Sequence, residues 1–372
     1  MRVVREKPGP LAGVLILLLA TASACAEKKQ PAPVPLYVGG RVVVDTDGSM
    51  RFGWPGVYFE GRFKGNGLTV RLRNGADRLR LLIDGVEKAS FTRTGQVDAR
   101  IDGLGDGEHS VRLEKLGETQ NDESRLFGIF AAGEGVPLSP PGRTGRQIEF
   151  IGDSYTVGYG NASPGRICTT AQVRDTTDTQ RAFGPIVARR LGADYRVNAY
   201  SGFGMVRNYG GSRPGESMPG LYQRLIPKDP APVEIDPRGW HPQFIVVNLG
   251  TNDFSTPLQA GEPWASQAAL HTAYRARYLG FARDLMAREP NARLILMGAD
   301  AFIADVRQVA DELGSKAPGR VSTIHFERLD LEGCDWHPSL KDHKHLADLL
   351  QAEIGRIAAT PAYQGPFRAF GP

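Results

Sequence analysis

The pattern of apolar residues changes near residue 140, and this change constrains the fold more than any other feature of the chain. From Gln147 onward, short apolar segments alternate with segments whose apolar residues recur at helical spacing. Residues 244–249 read Phe-Ile-Val-Val-Asn-Leu, which is typical of a strand buried on both faces. The alternation predicts an α/β fold over residues 145–360, with three layers and a parallel sheet between the helices.

Residues 36–140 have a different pattern, in which short runs of alternating apolar and polar residues are separated by Gly, Asn and Asp. The runs recur at intervals of about ten residues, which predicts a smaller, jelly-roll-like β-sandwich before the α/β domain. A segment rich in Pro and Gly, residues 135–142, joins the two predicted domains.

The N-terminal region has the features of a bacterial export signal. Basic residues in the first seven positions precede an apolar run, Leu11–Ala22, that is too short to span a bilayer. We therefore expect a signal peptide over 1–24 and a Pro-rich tether over 25–35. Cys25 follows small residues and resembles the lipidated cysteine of a bacterial lipoprotein, with Ala22 where leucine is usual. The predicted location is the cell envelope, at the outer membrane, or the medium if the chain is simply secreted.

Charge and motif content exclude several functions. The formal net charge is +4, and the chain has neither a Lys/Arg run nor a basic helix, so no nucleic-acid partner is expected. It has no His-x-x-x-His, no Cys-x-x-Cys and no glycine-rich loop of phosphate-binding spacing. We therefore predict no metal and no cofactor. We expect a monomer that contacts a membrane only through a lipid anchor at Cys25.

Ser154 lies in the segment Ile-Gly-Asp-Ser-Tyr-Thr-Val-Gly-Tyr-Gly, directly after the predicted strand 148–151. A turn from strand to helix would expose its hydroxyl at the sheet edge and point its backbone N–H at an oxyanion. A serine needs an adjacent base to become a nucleophile. The segment is not the Gly-x-Ser-x-Gly elbow of α/β-hydrolases, because Thr156 occupies the last position. The alternative is a serine that only caps a helix.

Three further residues follow predicted strands or precede the last predicted helix. Gly202, in Tyr-Ser-Gly-Phe-Gly, either lets a backbone N–H approach a substrate or forms an ordinary turn. Asn252, in Gly-Thr-Asn-Asp, either forms an Asx-turn or donates its amide to an oxyanion, which is worth ~3 kcal/mol. His337, in Gly-Cys-Asp-Trp-His-Pro, can act as base and then as acid, because imidazole titrates at about pH 6.5.

We call the segments around Ser154, Gly202, Asn252 and His337 the four blocks. In this order, they resemble the sequence blocks of the SGNH hydrolase superfamily, also called GDSL esterases. The resemblance covers the whole predicted α/β domain. It implies that Ser154 is the nucleophile and His337 the base. It also implies an oxyanion hole made of the Ser154 N–H, the Gly202 N–H and the Asn252 amide.

One position departs from the superfamily pattern. The superfamily usually has an aspartate three residues before the histidine, and this chain has Cys334 there. Asp335 lies two residues before the histidine instead. Either Asp335 is the third catalytic residue and orients the imidazole, or a backbone carbonyl does so in a Ser–His dyad.

A closer resemblance is to carbohydrate esterase family 2, whose members place a small β-sandwich before the SGNH domain. The segments Gly-Asp-Ser-Tyr-Thr-Val-Gly-Tyr-Gly, Ser-Gly-Phe-Gly-Met-Val-Arg-Asn-Tyr and Gly-Cys-Asp-Trp-His-Pro-Ser look like those of that family. The resemblance implies a carboxylic ester hydrolase that removes acetyl groups from polysaccharides or oligosaccharides, with a preference for the 6-hydroxyl of hexopyranosides. The alternatives are a lipase or thioesterase on the same fold, and a glycan-binding surface lipoprotein with an inert hydrolase domain.

With Cys25 set aside, Cys168 and Cys334 remain as a pair. Export to an oxidising compartment favours a disulfide between them over two free thiols. Such a bridge would join the loop after the nucleophile to the loop before the base.

Aromatic residues near the four blocks are candidates for binding a sugar ring. Trp336 precedes the predicted base, Tyr159 follows the predicted nucleophile, and Tyr209 follows the glycine block. Stacking on a sugar is one role for these side chains, and packing in the core is the other.

Overall fold

The computed structural model describes residues 32–230 and 239–370. The predicted signal peptide, Cys25 and most of the predicted tether lie outside the described residues. Within the described ranges, no helix combines the length and the apolar character needed to cross a membrane.

The N-terminal part of the described chain consists of β-strands in two antiparallel sheets. The strands are β1 (Tyr37–Gly39), β2 (Val43–Val44), β3 (Met50–Phe52), β4 (Tyr58–Lys64), β5 (Gly67–Asn74), β6 (Leu79–Ile83), β7 (Val86–Phe91), β8 (Gly95–Asp102), β9 (Glu108–Lys115), β10 (Ser124–Ala131) and β11 (Val136–Leu138). One sheet has the order β1-β4-β9-β6-β7, with β11 paired to β4, and the other has the order β2-β3-β10-β5-β8.

Side chains that alternate along these strands fill the space between the two sheets. In β6, Leu79, Leu81 and Ile83 are buried while the residues between them are partly exposed, as the pleat of a strand requires. The rings of Phe52 and Phe59, which belong to different sheets, lie 5.1 Å apart. The predicted β-rich domain at the N-terminal side is thereby confirmed.

The second part is an α/β domain built on a parallel sheet, as predicted. Its strands are β12 (Gln147–Gly152), β13 (Asp194–Ala199), β14 (Phe244–Asn248), β15 (Arg293–Gly298) and β16 (Val321–His325). Its helices are α1 (Ser154–Val157), α2 (Thr170–Thr176), α3 (Phe183–Arg190), α4 (Met218–Leu221), α5 (Thr251–Phe254), α6 (Gln267–Arg288), α7 (Ile303–Lys316) and α8 (Leu340–Ala358).

The order of the parallel strands is β13-β12-β14-β15-β16. The chain therefore starts near one edge, adds β13 on one side, and continues on the other side from β14. In open parallel sheets, ligands bind beyond the carboxyl ends of the strands where the order reverses. In this sheet, that point is the end of β12, which leads into Ser154.

Burial explains why the main elements form where they do. Every residue of β14 is buried, in agreement with the apolar run that predicted it. In α6 the buried residues are Leu270, Tyr274, Tyr278, Phe281, Ala282 and Leu285, which are spaced to form one face of a helix. Helix α7 was not predicted from the sequence.

The two parts are joined by buried polar contacts. Arg41, ahead of β2, donates to the carbonyl of Tyr222 and pairs with Glu149 of β12 at 3.1 Å. The Gln180 amide donates to the carbonyl of Gly56 at 3.2 Å. The described residues from Ala32 onward accordingly form one compact unit.

Candidate active site

Ser154 is the first residue of α1, immediately beyond the buried strand β12. Asp153 caps this helix, because its carboxylate accepts the Tyr155 N–H at 3.0 Å. A Cβ at Gly152 would lie only 2.0 Å from Thr156 Oγ1, so only glycine fits at the end of this strand. The turn leaves Ser154 4% exposed as a residue, with its hydroxyl at the edge of the sheet.

The imidazole of His337 contacts the Ser154 hydroxyl although the two residues lie 183 positions apart. Nε2 is 2.9 Å from Oγ. Nδ1 faces two main-chain carbonyl oxygens, of Cys334 at 2.9 Å and of Asp335 at 3.1 Å. Since carbonyl oxygens only accept, Nδ1 carries the hydrogen in the neutral ring. Nε2 is then free to accept the proton of the serine.

The loop that carries His337 is held by the main chain around it. Cys334 N–H donates to the Gly160 carbonyl at 3.2 Å, and Asp335 N–H donates to the Arg166 carbonyl at 2.6 Å. Asp335 and Trp336 both have φ in the left-handed region, at 51° and 57°. Such values are unfavourable for residues with a Cβ and persist where surrounding contacts impose them.

The disulfide expected from the sequence is present between Cys168 and Cys334, whose Cα atoms are 5.5 Å apart. It joins the segment that follows the nucleophile to the loop of the base. On the other side, α8 begins with a capping box, in which Ser339 and Asp342 exchange hydrogen bonds. The histidine is therefore fixed between a covalent link and a capped helix.

The carboxylate of Asp335 is hydrogen-bonded to Tyr159, and the imidazole of His337 is bound by main-chain oxygens. The carboxylate accepts a hydrogen bond from the Tyr159 hydroxyl at 3.1 Å, and the Asp335 group that faces the imidazole is the carbonyl oxygen. Of the two alternatives that the sequence left open, these contacts favour orientation of the imidazole by backbone carbonyl oxygens.

Burial lowers the pKa of His337, while the two carbonyl contacts and the charge of Asp335 oppose this shift. Tyr159 contributes to the burial, since its ring lies 4.4 Å from the imidazole. The neutral, proton-accepting form of the ring therefore persists to lower pH than in a free histidine.

The three groups predicted to form an oxyanion hole follow three neighbouring strands. Ser154 follows β12, Gly202 follows β13 and Asn252 follows β14, and β12 lies between the other two. Gly202 has φ +83°, a conformation that favours glycine, and the space where a Cβ would be is open. The Asn252 amide donates to the Phe203 carbonyl at 2.9 Å and to the Asp153 carboxylate at 3.3 Å.

Asp253 is a residue of this site that the sequence analysis did not single out. Its buried carboxylate accepts the backbone N–H groups of Met205, Val206 and Arg207 at 2.8–2.9 Å. Burial raises the pKa of Asp253 to about 6, against the effect of these three hydrogen bonds. Asp253 thus links the segment after Gly202 to α5. The sequence signal that could have identified it is its position next to Asn252 in Gly-Thr-Asn-Asp.

The three aromatic candidates lie in different environments. Trp336 is 55% exposed and Tyr209 is 58% exposed, so both rings are available to a ligand. Tyr159 is half-buried and contacts His337 and Asp335. Its ring therefore supports the base.

Among the described residues, one group has the composition of a metal site, although the sequence predicted none. It consists of Asp300, His325 and Glu327, whose ligand atoms lie within 4.8 Å of one another. His325 Nε2 is already 2.6 Å from Asp300 Oδ1, and both carboxylates are exposed. The hydrogen bond between His325 and Asp300 explains why these side chains lie close together, without a bound ion.

Two family models match the chain. Residues 38–141 match the carbohydrate esterase 2 N-terminal domain, and residues 150–348 match the GDSL-like lipase/acylhydrolase family. The two matches correspond to the two parts of the fold.

Individual relatives are similar over nearly the whole chain. An acetylxylan esterase / glucomannan deacetylase of Cellvibrio japonicus is 41% identical over 352 residues, which are 92% of this chain and 97% of that protein. A solved carbohydrate esterase whose active site displays divergent catalytic and non-catalytic binding functions is 40% identical with a TM-score of 0.81, covering 90% of this chain and 99% of the other. A family two carbohydrate esterase from Clostridium thermocellum, solved in complex with cellohexaose, is 27% identical with a TM-score of 0.76, covering 87% and 98%.

Proposed function

Since this chain belongs to the GDSL-like acylhydrolases and, among them, to carbohydrate esterase family 2, we propose that it removes acetyl groups from O-acetylated polysaccharides or oligosaccharides. The observation that carries the proposal is the 2.9 Å contact between Ser154 Oγ and His337 Nε2. The contact lies at the sheet edge where Gly202 and Asn252 also lie. The similarity to an acetylxylan esterase / glucomannan deacetylase supports the choice of substrate class.

The first half of the reaction forms an acetyl-enzyme. Ser154 Oγ attacks the acetyl carbonyl carbon while His337 Nε2 accepts the hydroxyl proton. Negative charge moves to the former carbonyl oxygen, which the Ser154 N–H, the Gly202 N–H and the Asn252 amide stabilise. Before substrate binds, both N–H groups of that amide donate to the Phe203 carbonyl and the Asp153 carboxylate, so the amide must release one of them to reach the oxyanion. The imidazolium then gives its proton to the sugar oxygen, the bond between that oxygen and the acetyl carbon breaks, and the sugar leaves with a free hydroxyl.

The second half repeats these steps with water. His337, neutral again, takes a proton from a water molecule whose oxygen attacks the acetyl carbon. The tetrahedral species is held by the same three donors. Its collapse breaks the bond to Ser154 Oγ, returns the proton to the serine and releases acetate.

His337 works here as one half of a Ser–His dyad oriented by the main chain. The carbonyl oxygens of Cys334 and Asp335 hold Nδ1–H at 2.9 and 3.1 Å, and they stabilise the imidazolium that forms during each half-reaction. The Asp335 carboxylate accepts a hydrogen bond from Tyr159 and so helps to position the tyrosine ring. Its charge also raises the pKa of His337.

The exposed rings of Trp336 and Tyr209 are the proposed contacts to the sugar. Both side chains present more than half of their surface to solvent, and each belongs to a segment that also carries a proposed catalytic group. An aromatic face of this kind binds the apolar face of a pyranose ring. Trp336 is adjacent to His337, so it would contact the sugar unit that carries the acetyl group.

We further propose that the enzyme is exported and anchored through a lipid on Cys25, and that it acts as a monomer. The Cys168–Cys334 disulfide supports export, because such bonds form and persist in oxidising compartments. Labelling of cells with a clickable fatty acid tests the anchor: label on the wild type and none on Cys25→Ala supports it. Unlabelled wild-type protein in the medium would instead indicate simple secretion. Light scattering of the mature protein tests whether it is a monomer in solution.

The function is tested by the acetate released from acetylated xylan, acetylated glucomannan and O-acetylated peptidoglycan. Wild type is expected to release acetate from at least one of the plant polysaccharides, and Ser154→Ala from none. A parallel comparison of p-nitrophenyl acetate with p-nitrophenyl octanoate should favour acetate. Faster hydrolysis of the octanoyl ester, with no acetate from any glycan, would contradict the proposal in favour of a lipase or thioesterase.

A further inference from the structure

A loop of the β-rich domain reaches the segment that carries Gly202. The loop joins β9 to β10, and two of its half-buried side chains contact Ser201. The Ser201 N–H donates to Glu118 Oε2 at 2.8 Å, and the Gln120 side-chain amide donates to the Ser201 carbonyl oxygen at 3.2 Å. Both main-chain polar groups of Ser201 are therefore bound by side chains of the other domain.

The contact of Gln120 determines where the N–H of Gly202 points. The Ser201 carbonyl and the Gly202 N–H belong to one peptide unit, which is planar and trans, so the two groups point in opposite directions. A donor that holds the carbonyl on one side fixes the N–H on the other. It also polarises the peptide, which strengthens the N–H as a donor.

The peptide on the other side of Gly202 is fixed in the same manner. The Tyr209 N–H donates to the Gly202 carbonyl at 2.9 Å. Both peptide planes that flank Gly202 are thus held at their carbonyl oxygens. A glycine at φ +83° has no side chain to restrict rotation, so these two contacts replace the constraint that a Cβ would supply.

The loop that presents Gln120 is itself anchored in both domains. Thr119, which lies between Glu118 and Gln120, accepts a hydrogen bond from the buried Lys115 side chain at 2.8 Å. The carbonyl of Leu116 accepts the Thr179 N–H at 2.7 Å, and the carbonyl of Gln120 accepts the Tyr200 hydroxyl at 3.1 Å. The loop is therefore held from both domains, and the Gln120 side-chain amide also donates to Glu118 Oε1 at 3.4 Å.

We propose that Gln120 is a positioning residue of the oxyanion hole, and that Glu118 assists it, so that the β-rich domain completes the active site of its neighbour. The inference rests on the proposed esterase function. The Gln120 amide touches no reacting atom and acts through the Ser201–Gly202 peptide. A donor held in place before the reaction stabilises the oxyanion without reorganisation, whereas a freely rotating peptide does not.

The experiment compares Gln120→Met with the wild type on p-nitrophenyl acetate. Methionine keeps the length of the side chain and removes the donor. We expect kcat to fall by about 10- to 100-fold, part of the effect of deleting an oxyanion donor, with KM within about twofold, because the interaction develops in the transition state. Asn121→Ala, an exposed residue of the same loop, is the matched control and should retain wild-type kcat.

A second readout separates positioning from a general structural role. An alkylboronic acid forms a tetrahedral adduct with the active serine and places an oxygen in the oxyanion hole. Its inhibition constant should rise in Gln120→Met by about the factor by which kcat falls, while the melting temperature stays close to that of the wild type. Glu118→Gln, which keeps an acceptor for the Ser201 N–H, should retain more activity than Glu118→Ala.

The outcomes distinguish this inference from the function on which it rests. A wild type that hydrolyses no acetyl ester overturns the proposed function, and the inference falls with it. An active wild type with unchanged kcat and boronate affinity in Gln120→Met overturns the inference alone. Should Gln120→Met fail to fold, Gln120→Ala decides by the same two measurements.

Discussion

The Tyr159 hydroxyl donates a hydrogen bond of 3.1 Å to the Asp335 carboxylate, so this carboxylate is bound to the tyrosine beside the imidazole of His337. The ring of Tyr159 lies 4.4 Å from the ring of His337. The imidazole Nδ1–H meets main-chain oxygens instead, and main-chain oxygens are not removed by side-chain substitution.

Replacement of Asp335 should therefore have a small effect on turnover. We expect Asp335→Asn to lower kcat on p-nitrophenyl acetate only several-fold, because the tautomer and orientation of His337 do not depend on the carboxylate. In a triad whose aspartate holds the histidine, the same change lowers kcat by ~10⁴-fold. A loss of a thousandfold or more in Asp335→Asn would show that the carboxylate orients the base.

The pH dependence of kcat/KM should follow the protonation of His337. Only the neutral imidazole accepts the serine proton, and burial lowers its pKa, so activity is retained below the ordinary imidazole value of about 6.5 and lost at lower pH. The charge of Asp335 raises the same pKa, so the acid limb of Asp335→Asn should move further down. A flat profile to about pH 4, or an acid limb above the ordinary imidazole value, would contradict the role of His337.

The four blocks of the site were predictable because each lies next to a recognisable element. Ser154, Gly202 and Asn252 directly follow strands of one parallel sheet, whose carboxyl ends meet at one edge. His337 precedes a helix that begins with Ser339 and a capping box. Local patterns therefore indicated where these groups would converge, and the resemblance between the blocks and a known family indicated what they would do.

The residues that hold the site residues in position were not predictable from local sequence patterns. Glu118 and Gln120 contact Ser201 across 83 and 81 positions and from another domain, and nothing in their own segment indicates a partner. Asp335 has a left-handed φ although it is not a glycine, and sequence patterns do not predict such a conformation.

Loss of the disulfide should affect both stability and turnover. The bond closes a separation of 166 residues, so removing it with Cys168→Ser and Cys334→Ser together should lower the free energy of unfolding by about 2–5 kcal/mol. The Cys334 carbonyl holds Nδ1 of His337, so kcat should fall as well. Denaturant unfolding and kinetics of the double variant, beside the non-reduced wild type, measure both effects. An unchanged unfolding free energy would contradict the expected constraint.

The exposed aromatic residues should affect binding of glycans and leave the chemical step intact. Trp336→Ala and Tyr209→Ala should each raise KM for acetylated polysaccharide by about 2- to 10-fold, the factor expected for one aromatic contact. Values of kcat/KM for p-nitrophenyl acetate should change little, since that substrate carries no sugar. Phe127→Ala, a 39% exposed aromatic residue of β10, is the matched control. Equal effects of Trp336→Ala on both substrates would contradict a sugar-binding role.

The central claim is that Ser154 is the nucleophile of an esterase. Peptide mapping by mass spectrometry after inactivation with a serine-directed organophosphonate tests it most directly. We predict one phosphonyl group per chain, on Ser154, with activity lost in proportion to labelling, and neither label nor acetate release in Ser154→Ala. A label on another residue that accompanies the loss of activity, or a Ser154→Ala variant that still releases acetate, would contradict the claim.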